Sequence, residues 1–171
     1  MSLGVCIGRY SPVHFGHMRN LDELQKLHGT SGSLVLLGSA NAPLTSRNMF
    51  TYVERRSWIR TIYPNLRVAP LPDFGNDHDW VIAVQDIVRL LGVEMDETVF
   101  YGGCQEDLEA LSRFGCNVCV WDRYGSDRPH ISATEVRAAL SRGEDVSGYL
   151  HRYIHDDVVR TFKERHPLLM A

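Results

Sequence analysis

No stretch of this 171-residue chain approaches the ~18 uninterrupted apolar residues that a bilayer span requires, so no membrane segment is expected. The first apolar stretch begins straight after Met1-Ser2, so no secretory signal is expected either. Positive charge is not in excess. The 18 Lys and Arg against 21 Asp and Glu give a formal charge of −3, and the cations are scattered, which argues against a nucleic-acid partner. Cysteine is sparse: Cys6, Cys104, Cys116 and Cys119. Cys116 and Cys119 have C-x-x-C spacing, but no second pair or histidine cluster accompanies them. The segment Gly115 to Trp121 reads as a strand, where residues three apart face opposite sides, so a shared metal is not expected. Reduced, buried thiols are the default expectation. No internal repeat, low-complexity tract or paired metal-binding carboxylates are seen.

What remains is a chain of one-domain size, long enough to bury roughly 70% of its unfolded surface. Apolar runs alternate with helical patterns. Leu3–Gly8, Leu34–Gly38, Leu66–Pro70, Thr98–Tyr101 and Cys116–Trp121 read as strands. Between them, helices are expected over Met18–Leu27, Thr51–Ile62, from Asp77 or Asp79 to about Leu91, and Gln105–Phe114. Another opens at Ser132, and a last one lies near His155–Arg165. This alternation predicts an α/β fold: a Rossmann-like, doubly wound parallel sheet in three α/β/α layers, with a C-terminal helical segment. The expected unit is a single domain over 1–171, its core about 1–141 and its helical segment about 142–171. The segments 42–50 and 71–78 are long enough to be binding loops. In an open parallel sheet, ligands bind beyond the carboxyl ends of the strands.

Two local patterns sit at such ends. The first is His14-Phe15-Gly16-His17, behind Arg9-Tyr10-Ser11-Pro12-Val13. It places two imidazoles near a helix start, where free N–H groups and the dipole favour phosphate. Gly16 lets a ligand approach the backbone without a Cβ in the way. A single histidine is more often a surface or satisfied core residue than a catalyst. Position after a strand, and a second motif, shift that balance. The second motif is Ile131-Ser132-Ala133-Thr134-Glu135-Val136-Arg137, which follows a break at Pro129-His130. Ser132 with Glu135 three residues on forms a capping-box pattern, and Arg137 can give phosphate two parallel hydrogen bonds. The plain alternative is an ordinary capped helix with a solvent-facing arginine.

Together the two motifs resemble the nucleotidylyltransferase superfamily with HxGH and ISxTxxR signatures. The likeness is closer to the nicotinamide mononucleotide (NMN) adenylyltransferases of archaeal and bacterial bifunctional type. Gly8 to His17 is similar to that branch's GRFQPxHxGH. Gly38-Ser39-Ala40, then Arg47 to Thr51 and Glu54-Arg55, is similar to its GSA…NPFT…ER block. Asn76 to Trp80 with Val84-Gln85 is similar to its N-D-x-x-W…VQ block. Ser11 stands where Gln is usual and Met49 where Pro is usual. Cys104-Gln105 replaces a Gly-His-x-Lys pattern, so no contact is assigned to that loop. About 35 residues follow the last motif, so the Nudix-type hydrolase domain of the bifunctional relatives is not expected.

The resemblance implies attack by a mononucleotide 5′-phosphate on the α-phosphorus of ATP, forming NAD from NMN and releasing pyrophosphate. It implies catalytic roles for Arg9, His14, His17 and Arg137. It implies ATP binding by Gly8, Arg9, His14, Gly16, His17, Arg47, Ser132, Thr134 and Arg137, and mononucleotide binding by Ser39, Ala40, Asn76 and Trp80. Trp80 could face the pyridinium cation, although by itself it reads as a core aromatic of its helix. No protein ligand for a metal is expected; Mg²⁺ is expected to enter on the ATP phosphates. A cytoplasmic homo-oligomer acting on small molecules, with no nucleic-acid or membrane partner, is the expectation. The rival readings are a pantetheine-phosphate adenylyltransferase or cytidylyltransferase type, or a nucleotide-sensing module without catalysis.

Overall fold

A computed structural model describes residues 2–121 and 131–170. The strands β1 (Leu3–Gly8), β2 (Ser33–Leu37), β3 (Arg67–Pro70), β4 (Thr98–Gly102) and β5 (Asn117–Val120) form one sheet in the order β3-β2-β1-β4-β5. Every neighbour is parallel; Cys6 pairs with Val35 on one side and Tyr101 on the other. The helices are α1 (Phe15–His28), α2 (Tyr52–Ile62), α3 (Asp77–Leu90), α4 (Glu109–Arg113), α5 (Ala133–Ser141) and α6 (Arg152–Met170). This is the expected Rossmann-like sheet.

The period-2 alternation of the strands splits the core in two. Cys6, Val35, Leu37 and Tyr101 face one layer, with Leu21 and Leu24 of α1, Trp58 and Ile59 of α2, Val136 of α5 and Ile154 of α6. Leu3, Val5, Leu34, Leu36 and Phe100 face the other, with Val81, Val84 and Val88 of α3 and Leu111 of α4. All five strands end at one edge, where the connections to α1, α2, α3, α4 and α5 begin. That edge is the ligand side of an open parallel sheet.

Two helices differ from expectation. The segment read as a helix over Gln105–Phe114 is one 3₁₀ turn, Glu106–Leu108, followed by the short α4. Gln105 makes no side-chain cap, and Leu108 sits at φ −114°, ψ −2°, so no continuous ladder forms through it. The last helix is longer than His155–Arg165 and begins at Arg152. It is tied down along its length. Trp58 Nε1 donates to Asp157 at 2.7 Å, and Arg165 donates to both carboxylate oxygens of Glu54 at 2.8 Å. Burial pushes the Glu54 carboxyl up, but the hydrogen bonds from Arg165 and Thr51 outweigh it and hold it below the usual carboxylate range.

The buried-thiol expectation holds for Cys6 alone; Cys104 and Cys116 are half-buried and Cys119 is exposed. For Cys116 and Cys119 the reason is topological: β5 is an edge strand, paired only with β4, while Cys104 lies in the connection after β4. Among the described residues no group of three or more His, Cys, Asp or Glu is placed to hold a metal ion. Among them, too, no helix is long and apolar enough to cross a membrane. The expected break at Pro129-His130 lies outside the described residues.

Candidate active site

The chain leaves β1 at Gly8 and turns through Tyr10, whose φ is 50°. It reaches His14 in extended conformation, and His14 caps α1 with its own ring. Nδ1 of His14 accepts from Gly16 N at 3.1 Å and from His17 N at 3.4 Å. In the neutral ring the proton therefore sits on Nε2. Phe15 N donates to Tyr149 O at 2.9 Å. The first-turn N–H groups, expected to be open to phosphate, are thus already used. The anion affinity of this end rests on side chains instead.

His14 is 3% exposed and lies ring-on-ring with His17, centroids 3.7 Å apart at 24°. Tyr10 meets the His17 ring from another side, at 4.5 Å and 45°. His17 is held between two rings. The spacing therefore does bring both imidazoles together, with His14 at the cap and His17 in the first turn. Gly16 is required for a reason beyond ligand approach. A Cβ there would stand 3.0 Å from the His14 ring and 3.2 Å from Ile131 O.

A cavity of about 280 Å³ opens over these rings. Gly8, Arg9, His14, Gly16, His17, Arg47, Ser132, Thr134 and Arg137 all line it. Nine residues named from sequence thus converge from three separate stretches of chain, 8–17, 47 and 132–137. Arg137 donates from Nη1 to Ser11 O at 2.6 Å and from Nη2 to Thr134 Oγ1 at 3.3 Å. Burial, then the charges of Arg9 and Arg47, pull the Arg137 guanidinium below its ordinary value. Arg9 is lowered likewise by burial and then by Arg47, with Asp73 and Asp107 opposing. Three guanidiniums line one cavity, and neighbouring charge adds to burial in lowering two of them, Arg9 and Arg137, so the site gains energy when an anion enters. Ser132 is engaged: its hydroxyl donates to Glu135 Oε2 at 2.8 Å and accepts from Glu135 N at 3.2 Å. This is the predicted capping box. Thr134 Oγ1 accepts from Arg137, and its own O–H remains to donate.

The other named residues stand apart from this cavity, at the ends of β2 and β3. Ser39 has φ 52°. Ala40 N donates to Leu71 O at 3.2 Å, and Asn41 and Asp73 exchange two bonds, at 3.0 and 2.7 Å. These bonds hold the two loops together. Asn76 caps α3: its Oδ1 accepts from Asp79 N at 2.8 Å, and its Nδ2 donates to Asp79 Oδ2 at 2.9 Å. Trp80 is half-buried and packs against the second core layer. Of the two readings of Trp80, the structure supplies packing for the core one and leaves a face of the residue open.

Sequence reading missed several residues. Tyr101 and Trp121 stack at 4.4 Å and 23° and form one wall of the cavity, and Asp107 puts a carboxylate there. Tyr101 is on β4, and Trp121 directly follows β5, so the strand-end rule applied to those strands finds both. Arg55, matched in the ER block but given no role there, is wholly buried. Its signal was its place on the apolar stripe of α2, three and four residues before Trp58 and Ile59.

The family model described as cytidylyltransferase-like matches residues 5–139. A nicotinamide-nucleotide adenylyltransferase of Pyrococcus furiosus is 30% identical over 152 residues, covering 84% of this chain and 76% of that protein. A bifunctional NMN adenylyltransferase/ADP ribose pyrophosphatase of Francisella tularensis superposes with a TM-score of 0.75 at 17% identity, covering 96% of this chain. This chain spans only 52% of that one. A second structure of the Francisella protein, complexed with AMP and a Mn ion, gives 0.72 at 17% identity over 99% of this chain and 52% of the other.

Proposed function

This chain belongs to the cytidylyltransferase-like family, on its nicotinamide-nucleotide adenylyltransferase branch, and we propose from that premise that it joins ATP to NMN, giving NAD and pyrophosphate. The observation that carries the reading is the cavity where Arg9, Arg47 and Arg137 surround the stacked pair His14 and His17.

The reaction brings two anions together and builds charge on the oxygen that leaves with pyrophosphate. Positioning and fixed electrostatics can supply most of the acceleration, with no covalent nucleophile. His17, fixed between two rings, is assigned to the α-phosphate. His14 donates from Nε2 to the neighbouring phosphate oxygens. Arg9 and Arg137 hold the phosphate chain, with Arg137 nearest the leaving pyrophosphate, and Arg47 closes on it from its loop. Thr134 adds a hydroxyl donor. Ser132 acts mainly by fixing the start of α5, and Gly8 and Gly16 keep the floor of the site free of Cβ atoms. Tyr101 and Trp121 offer an aromatic wall for a base. Ser39, Ala40, Asn76 and Trp80 form the mononucleotide side.

The residues at the cavity fit a metal that arrives on phosphate. Asp107 is the one carboxylate among the described residues lining it, and Mg²⁺ commonly binds through phosphates and water with few protein ligands. When bound, Mg²⁺ neutralises charge on the triphosphate. The same reading makes the protein a cytoplasmic enzyme of one nucleotidyltransferase unit that assembles as a homo-oligomer; size-exclusion chromatography with light scattering tests the assembly.

Incubation with ATP, NMN and Mg²⁺ is expected to produce NAD and pyrophosphate in equal amounts. Phosphopantetheine with ATP, or CTP with a phosphorylated acceptor, is expected to give no turnover. Turnover of either in place of NMN transfers the assignment to that rival, and ATP binding without any turnover supports the sensing module.

The mononucleotide side is tested at Trp80. Trp80→Ala is expected to raise KM for NMN roughly five- to thirtyfold, about 1–2 kcal/mol of lost cation–ring contact. KM for ATP should stay near wild type. Trp80→Phe should keep part of the affinity. Since the ring also packs on the core, a melt is run beside the kinetics. A stability loss of ~3–5 kcal/mol with no selective change in NMN affinity makes Trp80 a core residue only.

A further inference from the structure

We propose that Arg55 is a positioning residue for the reaction: its one buried guanidinium sets both left-handed turns that carry the substrate-side residues, Tyr10 beside Arg9 and Ser39 beside Ala40. Arg55 lies in α2 and is 0% exposed. Nη1 donates to Arg9 O at 2.6 Å and Gly38 O at 2.9 Å. Nη2 donates to Ser39 O at 3.2 Å, and Nε to Thr51 O at 3.3 Å. Among the described residues, four backbone carbonyls hold this cation and no carboxylate pairs with it. Burial and the nearby charge of Arg9 work against its ionised form and lower it, with Asp73, Tyr52 and Glu54 opposing through space.

A buried cation with no carboxylate bonded to it is an expensive way to fill a position on an apolar helix stripe. What it touches accounts for it. Among the described residues, Tyr10 at φ 50° and Ser39 at φ 52° are the non-glycine residues with positive φ. Each directly follows a carbonyl held by Nη1. Left-handed non-glycine residues persist where their surroundings over-determine them. Gly38 N also donates to Gly8 O at 3.0 Å, which sets the ends of β1 and β2 abreast. The planar fork then bridges the two strand ends just where the chain turns. On one side the turn presses Tyr10 onto His17 and aims Arg9 at the cavity. On the other it places Ser39 and Ala40. An ammonium has no fixed fork and cannot reproduce this bridge.

The inference rests on the adenylyltransfer reading, so NAD formation by the wild type is the control. If wild type makes no NAD, that reading fails, while the exchange arm below still tests Arg55. Arg55→Lys is expected to fold, by circular dichroism, with kcat/KM lowered at least thirtyfold for ATP and NMN alike. The dual loss differs from the NMN-selective pattern at Trp80. Amide hydrogen exchange followed by mass spectrometry should show at least tenfold faster exchange in peptides covering residues 9–13 and 38–42. Peptides inside β1 and β2 should keep wild-type protection. Ser39→Gly in the Arg55→Lys background should slow exchange at residues 38–42 again, because glycine takes the left-handed turn without steric cost. A folded Arg55→Lys protein with near-wild-type kinetics on both substrates overturns the proposal. So does faster exchange spread evenly over the sheet. If Arg55→Lys does not fold, the double variant with Ser39→Gly decides. Recovery of the fold with slowed exchange at 38–42 supports the proposal, and continued failure to fold overturns it.

Discussion

Replacing His17 by alanine should lower kcat for NAD formation by roughly 10²–10³, the range for losing one preorganised donor from a reacting site. KM for either substrate should change much less, because an interaction that grows in the transition state contributes little to ground-state binding. The geometry explains why this ring can act as a fixed donor. It lies 3.7 Å from the His14 ring and 4.5 Å from Tyr10, so its direction is set before substrate arrives. It also makes His17 a cleaner probe than its neighbour. His14→Ala removes the acceptor for Gly16 N and His17 N, and so adds a lost helix cap of about 0.5–2 kcal/mol to any catalytic effect. His17 caps nothing, and the fold should survive its loss. Steady-state kinetics with a thermal melt check this. Unchanged kcat in a folded variant shows that the His17 ring is structural.

The strands and most helix starts were legible because each has a local cause. The unbroken apolar run Leu34–Leu37 fits burial on both faces, and both capping boxes, Thr51 with Glu54 and Ser132 with Glu135, form. So was the convergence of Arg9, His14, His17, Arg47 and Arg137, since all follow or precede elements at one sheet edge. What was not legible depends on long-range partners. The turns at Tyr10 and Ser39 carry no local left-handed signature such as glycine or asparagine; their conformation is enforced from α2, some 40 residues away from Tyr10 in the chain. The N–H groups of α1 looked free because nothing in His14-Phe15-Gly16-His17 says that a histidine will cap its own helix. Trp80 sits beside the apolar stripe Val81, Val84 and Val88, so periodicity alone cannot divide its ring between core and ligand.

Arg137→Lys should reduce kcat/KM for ATP roughly ten- to hundredfold, or about 1.4–2.7 kcal/mol, although it keeps the formal charge. Two of the five guanidinium donors are already committed, to Ser11 O and Thr134 Oγ1. The remaining donors lie in the same plane and can meet two phosphate oxygens at once. An introduced ammonium that keeps the Ser11 bond has two donors left and no fixed plane. Its surroundings also work against it. Burial and the charges of Arg9 and Arg47 lower the Arg137 guanidinium from its ordinary value, yet it stays charged at working pH. The same burial and neighbours act on an ammonium that starts from a lower value, so it loses its proton as pH rises through its depressed pKa. The defect in Arg137→Lys should therefore deepen as pH rises above neutrality, while the wild-type arginine keeps its charge and its phosphate contact. ATP kinetics measured across that rise in pH for both proteins decide the matter. Wild-type values at every pH would mean that Arg137 only pins Ser11 and does not hold the phosphate chain. A pH-independent loss would leave the missing fork, rather than lost charge, as the whole cause.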